Sequence, residues 1–162
     1  MFELLLHKLT FERLAGALRG FEGQVRPVTM DLEGVFEAPW EGGRPSAPPQ
    51  PQIAFGSADV WYNPKAKLFL TTVKDSPRLA WFQSAAAGVE HPNLQAIGRV
   101  AQVYTTSHEQ ADTMAEGALW AALDHFREGP ARREAQARGE WRRMASRELM
   151  GSIWLIVGFG SI

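Results

Sequence analysis

The sequence predicts an α/β fold organised around a parallel sheet, on three observations. Short apolar runs alternate with stretches of helical period along most of the 162 residues. One such stretch places Ala111, Met114, Ala115, Ala118, Leu119, Ala122, Leu123 and Phe126 on a broad face of period 3.6. The run Ile153, Trp154, Leu155, Ile156 and Val157 contains no charged or hydrogen-bonding break, the pattern of a strand buried on both faces of a parallel sheet.

Taken in order, residues 2–6 read as a first buried strand. Thr10 then serves as a helix N-cap with Leu9 and Leu14 as a hydrophobic staple, and the helix runs to about Leu18 with Gly20 as its stop. Residues 24–29 form a second strand, which Pro27 confines to an edge or to short length. Pro39, Pro45, Pro48, Pro49 and Pro51, with Gly34, Gly42 and Gly43, make residues 31–51 a long surface excursion within a domain. A strand at 52–55 resumes the core, and Ser57 caps a short helix through Trp61. Residues 65–73 fit either helix or strand. A buried strand at 79–84 runs into the small residues 85–88, and Pro92 opens a helix reaching about Ile97. Residues 101–105 are a further strand. Ser107 and Gln110 form a capping box ahead of the long helix, which Gly129 and Pro130 end. An Arg-rich helix follows to about Trp141, and residues 152–157 are the last strand. This order is consistent with a small flavodoxin-like sheet, whose ligands bind outside the carboxyl ends of the strands.

Composition excludes several functions. With 17 basic and 18 acidic residues and a net charge of −1, a general nucleic-acid partner is not expected. The absence of cysteine removes disulfides, thiolate metal sites and cysteine nucleophiles. No apolar run has the length of a membrane span, and the opening residues lack the basic lead of a secretory signal, so a cytoplasmic location is expected. His7, His91, His108 and His125 are scattered, and the His108–Glu109 pair lacks the second histidine of a zinc-protease motif because position 112 is Asp112. No metal site is therefore expected. Ser84 and Ser161 lack a nucleophile elbow. Asp112, Glu116 and Asp124 read as solvated or capping charges, and His125 as a partner of a helix carboxyl end. Arg127, Arg132, Arg133, Arg138, Arg142, Arg143 and Arg147 alternate with Glu128, Glu134, Glu140 and Glu148, the mark of a solvated helix with internal ion pairs. Trp120 and Trp141 are assigned to core packing, with partner contact as the alternative.

Two segments carry chemistry. Gly158, Phe159, Gly160, Ser161 and Ile162 follow the apolar run as the first five residues of Gly-x-Gly-x-x-Gly, in which the glycines let backbone approach a pyrophosphate. Ser84 to Pro92 joins a strand to a helix through small residues, so a carboxylate or phosphate could dock on the amides of Ala87, Gly88 and Val89. A tight connection selected for packing is the alternative reading of the same residues.

Leu79 to Ser84 with Ala87 to His91, Thr113 to Glu116 on the long helix, and Trp154 to Ile162 together resemble the D-isomer-specific 2-hydroxyacid dehydrogenases, nearest the glyoxylate/hydroxypyruvate reductase type. The resemblance runs from about Gln52 to Ile162. It implies a flavodoxin-like substrate-binding domain over residues 1–106. Residues 107–162 would supply a hinge helix, an Arg-rich arm contributing to a homodimer, and the truncated first strand of a Rossmann domain for NAD or NADP. It also implies that Ala87, Gly88 and Val89 hold the carboxylate of a small 2-oxo or 2-hydroxy acid. Met114 would lie against the cofactor, and Gly158, Phe159, Gly160, Ser161 and Ile162 at its pyrophosphate. The family's catalytic arginine, glutamate and histidine follow the nucleotide loop, so no catalytic residue is assigned here and the isolated chain is expected to be inactive. The rival expectation is a non-catalytic carboxylate-binding or interaction module.

Overall fold

The computed structural model describes residues 1–158 and 160–162. The chain divides into two compact units, Met1–His108 and Glu109–Ile162.

The first unit opens with β1 (Phe2–His7), which passes without a loop into α1 (Lys8–Leu18). β2 (Val25–Met30) and the two-residue β3 (Phe36–Glu37) follow. β4 (Ile53–Gly56) leads through α2 (Ala58–Trp61) to α3 (Ala66–Lys74), and β5 (Trp81–Ser84), α4 (Pro92–Val100) and β6 (Val103–Thr105) complete the unit. The strands form one sheet in the order β3-β2-β1-β4-β5-β6, parallel throughout except for β3. Without that hairpin strand the parallel strands stand in the flavodoxin-like order 2-1-3-4-5.

The central strands are buried on both faces, which is why Leu4, Leu5 and Leu6 can be consecutive leucines rather than an alternating pattern. Leu5, Val28, Ala54 and Phe82 from the sheet join Val60, Phe69, Leu70, Val73, Leu94 and Ile97 from the helices in one core. Burying a side chain such as Phe69 or Phe82 contributes roughly 1.5–3 kcal/mol. The placement of Phe69, Leu70 and Val73 on one buried face settles residues 65–73 as helix.

Several expectations are corrected. The N-cap of α1 is His7, whose Nδ1 accepts the Leu9 N–H at 3.3 Å. Thr10 instead lies buried in the first turn, and Leu9 and Leu14 are too exposed to staple it. Gly20 falls within a 3-10 turn, Arg19–Phe21, and the left-handed backbone that turns the chain is at Gly23. β2 is an inner strand, but β3 pairs only with Thr29 and Met30, so Pro27 lies on a stretch without that neighbour.

In the second unit α5 (Ala111–Phe126) starts with Gln110, not Ser107, at its cap position. It buries none of its residues, so its apolar face is open. α6 (Gly129–Ala137) follows Glu128, which holds a left-handed φ of 54°. The charged alternation pairs as expected: Arg133 grips both oxygens of Asp124, and Arg138 bridges Glu134 and Glu140. Trp120 and Trp141 are exposed, which corrects their assignment to a core. Residues 152–157 form no strand and leave Ile153, Leu155, Ile156 and Val157 largely exposed. A strand exists only through its ladder partners, and none is paired to this segment among the described residues. No helix among the described residues is long and apolar enough to cross a membrane.

Candidate functional site

In a sheet of this order the carboxyl ends of β1 and β4 diverge at the topological switch point, the usual crevice for a ligand. Here the protein fills that crevice with its own polar groups. Thr10 Oγ1 and Ser57 Oγ are 2.6 Å apart, and the Thr10 hydroxyl also reaches Asp59 Oδ2 at 2.6 Å, which Arg13 pairs as well. Burial works against ionisation of Asp59, but the hydrogen bonds from Thr10 and Arg13 prevail and hold its carboxyl below the ordinary value.

The open amides lie one strand further along. After β5, the Ala85 N–H donates to Gly56 O at 2.9 Å and the Ala86 N–H to Ser84 Oγ at 3.1 Å, which pins the start of the loop. Ala87, Gly88 and Val89 are exposed, and their N–H groups have no partner among the described residues. The loop closes at His91, whose Nδ1 accepts the Asn93 N–H at 3.2 Å and caps α4 ahead of Pro92. The exposed Glu90 carboxylate lies over Gly88, where a Cβ would displace it. Three free donors thus stand between a strand end and a helix amino end, where anions are favoured.

Two aromatic side chains flank this loop with unsatisfied polar atoms. Trp61 stands edge-on to the His91 ring at 5.5 Å, and its indole Nε1 is buried without a partner. The Tyr104 hydroxyl is buried beside Ser84 without a hydrogen bond of good geometry. Burial pushes its pKa above the ordinary phenol value, with Ser84 opposing. Tyr104 and Val89 share a cleft of about 300 Å³ with Leu94, Gln95, Gly98 and Arg99. A buried donor left unpaired costs about 1–3 kcal/mol, so such groups call for a function. Sequence reasoning missed both residues, reading Trp61 only as the end of a short helix.

Of the residues assigned to a cofactor, Met114 is half exposed on α5. Gly158 has a left-handed φ of 95°, which favours glycine, and Gly160, Ser161 and Ile162 follow without helix. Phe159 lies outside the described residues. A pyrophosphate needs a strand, a glycine turn and a helix amino end together, and residues 153–158 and 160–162 do not assemble them.

No protein-family model and no curated protein matches the sequence. Among solved structures, the D-isomer specific 2-hydroxyacid dehydrogenase from Xanthobacter autotrophicus Py2, crystallised in complex with NADPH and MES, aligns with a TM-score of 0.55 and 20% identity over 90% of this chain. The two share a fold. The aligned part is 42% of that dehydrogenase, so this chain spans less than half of its length.

Proposed function

We propose that the chain is the N-terminal, substrate-binding part of an NAD(P)-dependent D-2-hydroxyacid dehydrogenase acting on a small 2-oxo acid of the glyoxylate or hydroxypyruvate type. The observation that carries this reading is the set of unpartnered amides at Ala87, Gly88 and Val89, in a loop that ends at His91, whose ring meets Trp61 with its orphaned indole N–H. Likeness of fold to a dehydrogenase crystallised with NADPH supports it.

In this reading the ligand carboxylate accepts the loop amides, as charge-assisted bonds stronger than neutral ones. The Trp61 N–H donates to a second oxygen and fixes the ligand's orientation. Met114 and residues 158–162 belong to the cofactor side, residues 1–106 to the substrate domain, and residues 107–162 to the hinge, arm and nucleotide domain of a cytoplasmic homodimer. A bound nicotinamide would supply the hydride. The isolated chain is inactive in this reading because its glycine turn has no strand–helix frame to hold a nicotinamide in register with the substrate.

Titration of the labelled chain with glyoxylate tests the reading by NMR. The expected result is weak binding that shifts the amides of residues 87–89 and the Trp61 indole N–H, with no oxidation of NADH or NADPH above a buffer blank. Shifts confined to other residues would remove the carboxylate site. Turnover that survives repurification and is abolished by Gly88→Trp would make the chain an enzyme in its own right. Carboxylate binding by a full-length protein that lacks hydride transfer would favour the non-catalytic module instead.

A further inference from the structure

His7 ends β1 at the switch point and is fully buried. Its ring has a donor on each side: the Leu9 N–H points at Nδ1 from 3.3 Å, and Asn63 Nδ2 faces Nε2 at 3.0 Å. The Asn63 amide cannot be turned round to relieve this. Its Oδ1 accepts the Lys65 N–H at 2.6 Å, while Nδ2 also donates to Asp31 O at 2.9 Å. A neutral imidazole offers one lone pair to these two donors, and an imidazolium offers none. Asn63 sits in the turn between α2 and α3, two residues after Trp61.

We propose that His7 is a proton-sensitive brace: neutral, its single lone pair accepts either the Leu9 N–H or, in the other tautomer, the Asn63 amide, and in that second form it holds the Asn63 turn and so presents Trp61 to the loop at residues 87–89; protonated, it accepts neither donor and releases that turn. The role assigned to Trp61 as a ligand donor rests on the proposed function, whereas the coupling of His7 to the turn does not.

The charged groups around His7 are Glu12 and Arg13 on α1, Asp31 after β2 and Asp59 on α2. Burial is the largest influence and lowers the His7 pKa. Asp59 opposes it, Arg13 reinforces it, and Asp31 and Glu12 oppose it, for a net shift downwards. A folded-state value below the free one means that the unfolded chain binds the extra proton. The stabilisation from His7 is therefore complete above about pH 6.5 and is lost as the pH falls towards the folded-state value.

The test follows the His7 ring and the Trp61 indole N–H by NMR between about pH 8 and pH 5, without ligand. The 162-residue chain carries His91→Asn, which keeps an N-cap for α4 while removing the imidazole that packs edge-on against Trp61. The expected result is that the His7 ring and the indole N–H titrate together, with one apparent pKa below about 6.5. In Asn63→Asp, which offers Nε2 an acceptor, that shared midpoint should rise. In His7→Asn, which can cap Leu9 but is too short to reach Asn63, the indole response should be flat. An indole that stays fixed while His7 titrates would overturn the proposal. So would a His7 that takes up no proton before the unit unfolds. A coupled titration in a protein that gives no glyoxylate shifts would leave the brace standing and remove only the substrate reading.

Discussion

Two apolar runs, each followed by small residues, meet opposite fates in this chain. Trp81, Phe82, Gln83 and Ser84 form β5, with β4 paired on one side and β6 on the other. Residues 153–157 are more apolar still, yet form no strand. Side-chain character alone therefore does not make a strand. Phe82 is fully buried because neighbouring strands and the helices α3 and α4 surround it, and Ile153 is fully exposed. The difference lies in neighbours supplied by the rest of the chain, and it decides which of the two small-residue turns can present its amides as a preformed set.

Hydrogen exchange should break or sharpen this contrast most decisively. The amides of β5 are expected to exchange on the order of 10³-fold or more slower than those of residues 153–157, since core strands open only with global unfolding. Equal protection would show that the second run finds a partner in solution. Phe82→Ala is expected to destabilise the first unit by about 3–5 kcal/mol in urea unfolding, because it empties a fully buried site. Gly56→Ala comes next: its Cβ would stand 2.7 Å from Phe82 Cζ, and overpacking of that kind costs about 1–3 kcal/mol. Leu155→Ser should change the same unfolding midpoint by no more than about 0.5 kcal/mol, as expected for a side chain that is almost wholly exposed.

The elements legible in the sequence were those whose own residues determine them. Consecutive Leu4, Leu5 and Leu6 imply a strand buried on both faces, and Pro92 opens α4 where its fixed φ and missing N–H suit a first helical position. Two kinds of feature were not legible. One was the cap of α1: Thr10 is a good capping residue, but β1 enters the helix directly and His7 reaches the Leu9 N–H, freeing Thr10 to bridge to Ser57 and Asp59. The other was the orphaned pair, Trp61 and Tyr104, because an unsatisfied donor is a property of packing and leaves no trace in spacing. The loop at residues 87–89 was legible as small residues between strand and helix. That its amides are free is a fact of the folded chain.

The strand order has a further consequence for how the protein comes off the ribosome. β1 is synthesised first, yet its neighbours are β2 on one side and β4 on the other, with Leu4 opposite Pro27 and Ile53. At about 5–20 residues per second, the second neighbour is made roughly 2–10 s after the first strand. Throughout that interval the leucines of β1 have one open edge in a nascent chain, the situation in which intermolecular pairing competes with folding. Pro39, Pro45, Pro48, Pro49 and Pro51 occupy the stretch between β2 and β4. By restricting the conformations that stretch can explore before β4 docks, they lower the entropy lost when the sheet closes around β1. The excursion that looks least structured in the sequence thus lengthens the wait for β4 but eases the docking that ends it.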